Sequence, residues 1–165
     1  MVNRWRVRRA GATRGDEGAA IVEFIALSLL LLVPLVYLVV TLARIQAGAL
    51  AAESAAGQAA RTVVVTGVAA REHGASASAA MEEGAGHAHA AVDVVATDFG
   101  FASGDASLVL SCSGACLEPG GDVMADVTVS VALPGIPAFL VGVLPLRVEV
   151  AGSARSPVDS LTEDR

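Results

Sequence analysis

The sequence predicts an α+β protein: one long N-terminal transmembrane helix that extends into a small ectodomain with a second helix and a short antiparallel three-stranded sheet. Three observations carry this. From Phe24 to Val40 the chain runs 17 residues with only Ser28 and Pro34 interrupting, and adding Ala19–Ile21 and Thr41–Ala43 gives enough length to cross a bilayer. The following stretch, Ile45 to Val65, is alanine-rich, with Gln46, Glu53, Gln58 and Arg61 interspersed and no alternation, so the same helix is expected to continue outward. From Ser107 onward the apolar period changes to two, the period of a half-buried strand.

In chain order, residues 1–18 read as a basic cytoplasmic leader, 19–43 as the transmembrane helix, 44–154 as one extracytoplasmic domain and 155–165 as a polar, disordered tail. The leader carries Arg4, Arg6, Arg8, Arg9 and Arg14, whereas the comparable stretch after the span has only Arg44 and Arg61. The positive-inside rule therefore keeps the N-terminus in the cytoplasm and puts the remainder outside a single-pass cell-membrane anchor. Gly67 and His73-Gly74 are expected to interrupt the outward helix. A second, weaker helix is expected over Ala75–Asp98, broken at Gly84 and Gly86 and firmest from Ala88 to Thr97. Leu108–Leu110, the alternating run Val123 to Leu133, and Leu146, Val148 and Val150 supply three strands, with Glu118-Pro119-Gly120-Gly121 as a turn. A helix is expected to cover the apolar face of this meander. Ala138–Leu144 is apolar but too short to span.

The stretch Asp16-Glu17-Gly18-Ala19-Ala20-Ile21-Val22-Glu23-Phe24 places one carboxylate inside the mouth of a membrane-grade helix. An acid in such a helix costs up to roughly 3 kcal/mol at the centre and less near the interface. Glu23 therefore needs a partner. Gly18, a small residue at Ala19, an acid five positions after the glycine, an aromatic at Phe24 and an apolar helix together resemble class III signal peptides. The wording Gly-Ala-Ala-Ile-Val-Glu-Phe is similar to TadE-like pseudopilins of Tad/Flp pilus systems, and Ala55-Ala56-Gly57-Gln58-Ala59-Ala60-Arg61 resembles a small-residue helix ending in Arg common in that family. The likeness covers residues 18 to 61; Pro34 lies further into the helix than the proline often found there.

That resemblance implies a pilin-like domain and cleavage between Gly18 and Ala19 by prepilin peptidase. It also implies that Glu23, next to Phe24, pairs with the freed amine of Ala19 in its own chain or a neighbour. The implied partners are that peptidase, other pilin-like subunits, inner-membrane assembly proteins and membrane lipid, with a surface pilus as one destination. Two alternatives stay open. One is an ordinary signal peptide with small-residue sites near Ala49–Ala51, although its apolar core would exceed the usual length. The other is an uncleaved single-pass anchor with no pilus role.

At 165 residues, with 54% hydrophobic content inflated by alanine and the span, the chain has room for one modest ectodomain. It contains 11 Arg, no Lys and 17 acids. Loss of residues 1–18 removes five Arg and two acids and leaves six against fifteen, a formal charge of −9. A nucleic-acid partner is not expected of such a domain, since phosphate affinity needs clustered cations. Cys112 and Cys116 fall in the exported part, where oxidation allows a local disulfide. A metal half-site is the competing reading, but zinc ordinarily takes four ligands at recognisable spacing and no second Cys pair exists. His73, His87 and His89 are the remaining candidates, and His87 and His89, two apart on a helix, point to different faces. For catalysis the candidate pair is His89 with Asp93, a spacing commoner as a solvated surface contact. No phosphate loop, hydrolase elbow or cofactor fingerprint occurs, so neither enzymatic activity nor a cofactor is expected.

Overall fold

The computed structural model describes residues 16–135 and 147–158. Five elements occur in the order α1 (Asp16–Glu72), α2 (Ala77–Asp98), β1 (Ala106–Ser113), β2 (Asp122–Ala132) and β3 (Arg147–Pro157). The chain divides into two compact units, Met1–Val39 and Val40–Arg165.

In the first unit α1 begins at Asp16, three residues before the expected start. Its large side chains are open: Phe24 is 71% exposed and Leu31 72%. The most apolar window of the helix has a mean hydropathy of 2.7 with none of it buried. Water would penalise each such side chain by about 1.5–3 kcal/mol; the stretch is long and apolar enough to cross a membrane, consistent with a single-pass anchor. Pro34 sits inside the element without ending it; it removes one N–H from the ladder of main-chain hydrogen bonds.

In the second unit α1 runs past Gly67, where the sequence predicts an interruption. Gly67 is where Leu117 rests: a Cβ on Gly67 would lie 2.6 Å from Leu117 Cδ1. The helix ends instead at Gly74, whose φ of +90 places the chain in the left-handed region. Gly74 N–H donates to Arg71 O at 3.0 Å and Ala75 N–H to Ala70 O at 3.0 Å, the paired closure that stops a helix at a glycine.

Helix α2 starts at Ala77, where the Ser76 hydroxyl accepts from Ala79 N–H at 3.2 Å, a side-chain cap for an otherwise unpaired donor. It runs unbroken through both Gly84 and Gly86, a second departure from expectation. Gly84 faces α1, and a Cβ there would lie 3.0 Å from Val63 O and 3.2 Å from Val63 Cα. The glycine permits backbone-to-backbone approach, and the packing it allows offsets its helix penalty of about 1 kcal/mol.

The sheet is the expected antiparallel meander, ordered β1-β2-β3. Val127 pairs with Leu108 on one side and Gly152 on the other. Along β2, Val123, Ala125, Val127, Val129 and Val131 are fully buried, while Asp126 between them is exposed. The buried face meets α1 directly at Gly152, where a Cβ would lie 2.5 Å from Ala52 C and Glu53 N. The expected tail from residue 155 needs correction. β3 continues to Pro157 and Val158 is buried, because Arg155, Ser156 and Pro157 pair with Met124, Val123 and Asp122. Residues 159–165 and the apolar run Ala138–Leu144 lie outside the described residues.

Candidate functional site

The predicted processing residues lie in the first turns of α1. Gly18 and Ala19 are both exposed, and an added Cβ on Gly18 would meet nothing within 4 Å. This fold therefore imposes no requirement for glycine there. With α1 starting at Asp16, the Ala19 N–H is among the first four donors of a helix, which have no partner within it. A cut between Gly18 and Ala19 would thus break no helical hydrogen bond made by that N–H. Glu23 lies four residues beyond Ala19, on the same helix face, and is exposed. The ion pairs among the described residues are Arg147–Asp105 and Arg155–Asp122; neither uses Glu23. Phe24 is likewise open, at 71%.

The second predicted motif divides by face. Ala55, Ala56, Ala59 and Ala60 are buried at 1% exposure or less, whereas Gly57, Gln58 and Arg61 are exposed. Methyl-sized side chains let other elements close on the helix while the remaining stripe stays open. Gly57 and Arg61 line a groove of about 720 Å³ together with Gly120, Arg155 and Ser156.

Cys112 and Cys116 form a disulfide with a Cα–Cα distance of 5.5 Å. It joins the end of β1 to the turn before β2, with Gly114 at φ +83 inside the loop. Leu117 follows at φ 59, the only non-glycine residue with positive φ among those described, and is buried at 5% exposure on Gly67. The bridge therefore sits beside the residue that anchors this turn on α1.

His73 Nδ1 contacts Ala69 O at 2.7 Å at the end of α1. His87, His89 and Asp93 are exposed on α2. No three His, Cys, Asp or Glu side chains gather among the described residues.

The sequence reading missed one polar cluster. Asp105 Oδ1 accepts from Arg147 Nη1 at 2.8 Å and Oδ2 from Ala102 N–H at 3.1 Å, while Asp105 O accepts from Ser130 N–H at 2.8 Å. The hydrogen-bonded guanidinium holds the Asp105 carboxyl below its ordinary range, against the opposing effect of partial burial. The available signal was the turn sequence Ala102-Ser103-Gly104-Asp105, since aspartate commonly hydrogen-bonds nearby main chain in turns. Its partner Arg147 lies 42 residues away, and sequence spacing does not announce it. Arg44 over Phe101, 5.8 Å from the ring centroid, was missed for the same reason.

Comparison with family models, with curated proteins and with solved structures gave no match.

Proposed function

We propose that this chain is a minor pilin or pseudopilin of the TadE-like kind, acting in assembly of a Tad/Flp-type pilus or related secretion apparatus after cleavage by prepilin peptidase. The observation that carries this reading is the pair Gly18 and Glu23 at the head of an exposed, lipid-grade helix. Cleavage after Gly18 creates an ammonium at Ala19, one helical turn from the carboxylate and at the positive end of the helix dipole. A membrane-embedded acid then gains a cation. If the cation belongs to a neighbouring subunit, the charge is satisfied only on assembly and the pair sets the register between chains.

The basic leader stays in the cytoplasm and the disulfide-bearing domain outside, where a pilus or secretion partner meets it. Prepilin peptidase, other pilin-like subunits and inner-membrane assembly proteins are the partners this role requires.

N-terminal sequencing of membrane-extracted protein tests the processing step. A mature start at Ala19, lost in Gly18→Leu, is expected. A start near Ala51, or at Met1 in cells with active peptidase, would favour an ordinary secreted or single-pass anchored extracytoplasmic protein. Glu23→Gln should leave insertion and cleavage intact while reducing crosslinking to other pilin subunits and piliation. A Gln variant that piliates like the parent removes the assembly role of Glu23.

A further inference from the structure

Leu42 is the last large apolar residue of the uninterrupted run and Arg44 the first charge after it, which marks where hydrocarbon gives way to headgroups. One helical turn beyond, about 6 Å along the axis, Gly48 receives the ectodomain. A Cβ there would collide with Val131 Cγ2, and would lie 3.0 Å from Val150 Cγ2 and 3.5 Å from the Phe101 ring. Val131 is near the end of β2 and Val150 near the start of β3.

Further along, Gly152 meets Ala52 and Glu53, and Leu117 meets Gly67. Gly48 and Gly67 are separated by about 28 Å of helix, and Val123 and Val131 by about 26 Å of strand. β2 therefore runs alongside this part of α1 in the opposite direction. One end of the sheet is pinned at Gly48 and the other, bearing the disulfide, at Gly67, about 28 Å away along α1.

The two ends differ in how their charges are placed: the near-end turns carry none. The far end and the helices beside it carry Glu72, Glu82, Glu83, Glu118 and Asp122 against Arg61, Arg71 and Arg155. At the near end, the turn residues Ala102, Ser103, Gly104, Leu133, Pro134 and Gly135 are uncharged, Asp105 is bonded to Arg147, and Glu149 lies on β3 opposite Ser130. Asp98 closes α2 there. Arg44 has no ion pair with a described residue; its guanidinium lies on the Phe101 ring, which leaves in-plane N–H donors for a phosphate.

We propose that the near end of the ectodomain is a lipid-contact surface: the Ala102–Gly104 turn and the Leu133–Gly135 turn rest on the phospholipid headgroups, and Arg44 binds a lipid phosphate. The disulfide turn is then the end held away from the membrane. This rests on the membrane span alone and is independent of a pilus role.

The test uses the full chain in phosphatidylcholine–phosphatidylglycerol vesicles containing a headgroup-nitroxide lipid. A fluorophore is placed on one added cysteine, from Ser103→Cys at the near end or Ser78→Cys at the start of α2. Quenching several-fold stronger at position 103 than at position 78 is expected, falling at least twofold when Arg44→Glu is added. Equal quenching at both positions overturns the orientation, and quenching indifferent to Arg44→Glu overturns the phosphate contact. Release of the protein by alkaline carbonate would instead overturn the span, a result distinguishable from either.

Discussion

Ile21 to Leu42 and Gly48 to Gly67 are consecutive parts of one helix, yet they pack by opposite rules. In the first, Leu, Ile, Val and Phe stand open, Leu31 at 72% and Leu30 at 69%. In the second, most of the covered residues are small: Ala51, Ala52, Ala56 and Ala59 are at 0% exposure, with Val63 the larger side chain among them. Large apolar side chains left open in this way suit lipid tails, which conform to any shape. A sheet and a second helix do not conform, so α1 meets them through glycines and methyl groups that let main chains approach. Large side chains are thus mostly open and small ones mostly covered along α1, and the most hydrophobic stretch is one that no other described part of the chain covers.

The sharpest way to break this contrast is at Gly152, where β3 touches the main chain of Ala52 and Glu53. Main chain in a helix cannot rotate away as a side chain can. Gly152→Val should cost about 3 kcal/mol or more, read as a lowered thermal unfolding midpoint of the full chain in detergent and as proteolysis of the sheet. A variant that melts with the parent would show that the two elements separate without loss.

Next in size is a paired substitution that tests the size rule. Ala56→Leu adds bulk at a fully buried position and should cost about 1–3 kcal/mol. Leu31→Ala, at an open position, should move ectodomain unfolding by less than about 0.5 kcal/mol. Equal effects from the two would mean that the segments do not differ as described.

Removing the disulfide with Cys112→Ala and Cys116→Ala should cost at most about 2 kcal/mol, since a loop this short restricts the unfolded chain little. Denaturant titration of the oxidised parent and the double variant checks this. Reductant should weaken the parent and leave the variant unchanged.

The smallest effect is expected at Asp105. The Arg147 side chain is 60% exposed and that of Asp105 22%, so solvent screening limits the pair to under about 1 kcal/mol. Because the native carboxyl is held below its ordinary value, the contribution is present above about pH 4. It fades as the pH falls through the lowered native value. The stability difference between the parent and Asp105→Asn should therefore shrink on acidification below pH 4, and a difference that grows would contradict the assigned direction.

Much of the fold is legible in the residues themselves. The alternation Val123, Ala125, Val127, Val129, Val131 marks β2, and its buried face falls on those positions. The stop at His73-Gly74 is likewise local, because glycine adopts positive φ without cost. Gly67 and Gly84 read wrongly for an equally physical reason. Glycine as a breaker and glycine as a contact point are identical in sequence, and only the atoms opposite, Leu117 and Val63, distinguish them. Ala154–Pro157 looks polar and tail-like, but an edge strand needs only main-chain partners, and β2 supplies them.

Of the candidate site, the spacing from Gly18 to Glu23, the apolar run after it and the cysteine pair were all visible in sequence, because each is a local pattern within a few residues. The sequence by itself thus determined the long apolar helix, the strand periods and the short-range chemistry, through periodicity and composition that operate along the chain. Tertiary structure alone decided that Gly48, Gly67, Gly84 and Gly152 are points of contact, that Arg147 reaches Asp105, and that Arg44 lies on Phe101. These contacts join residues distant in sequence, and close packing selects them only after the elements have met.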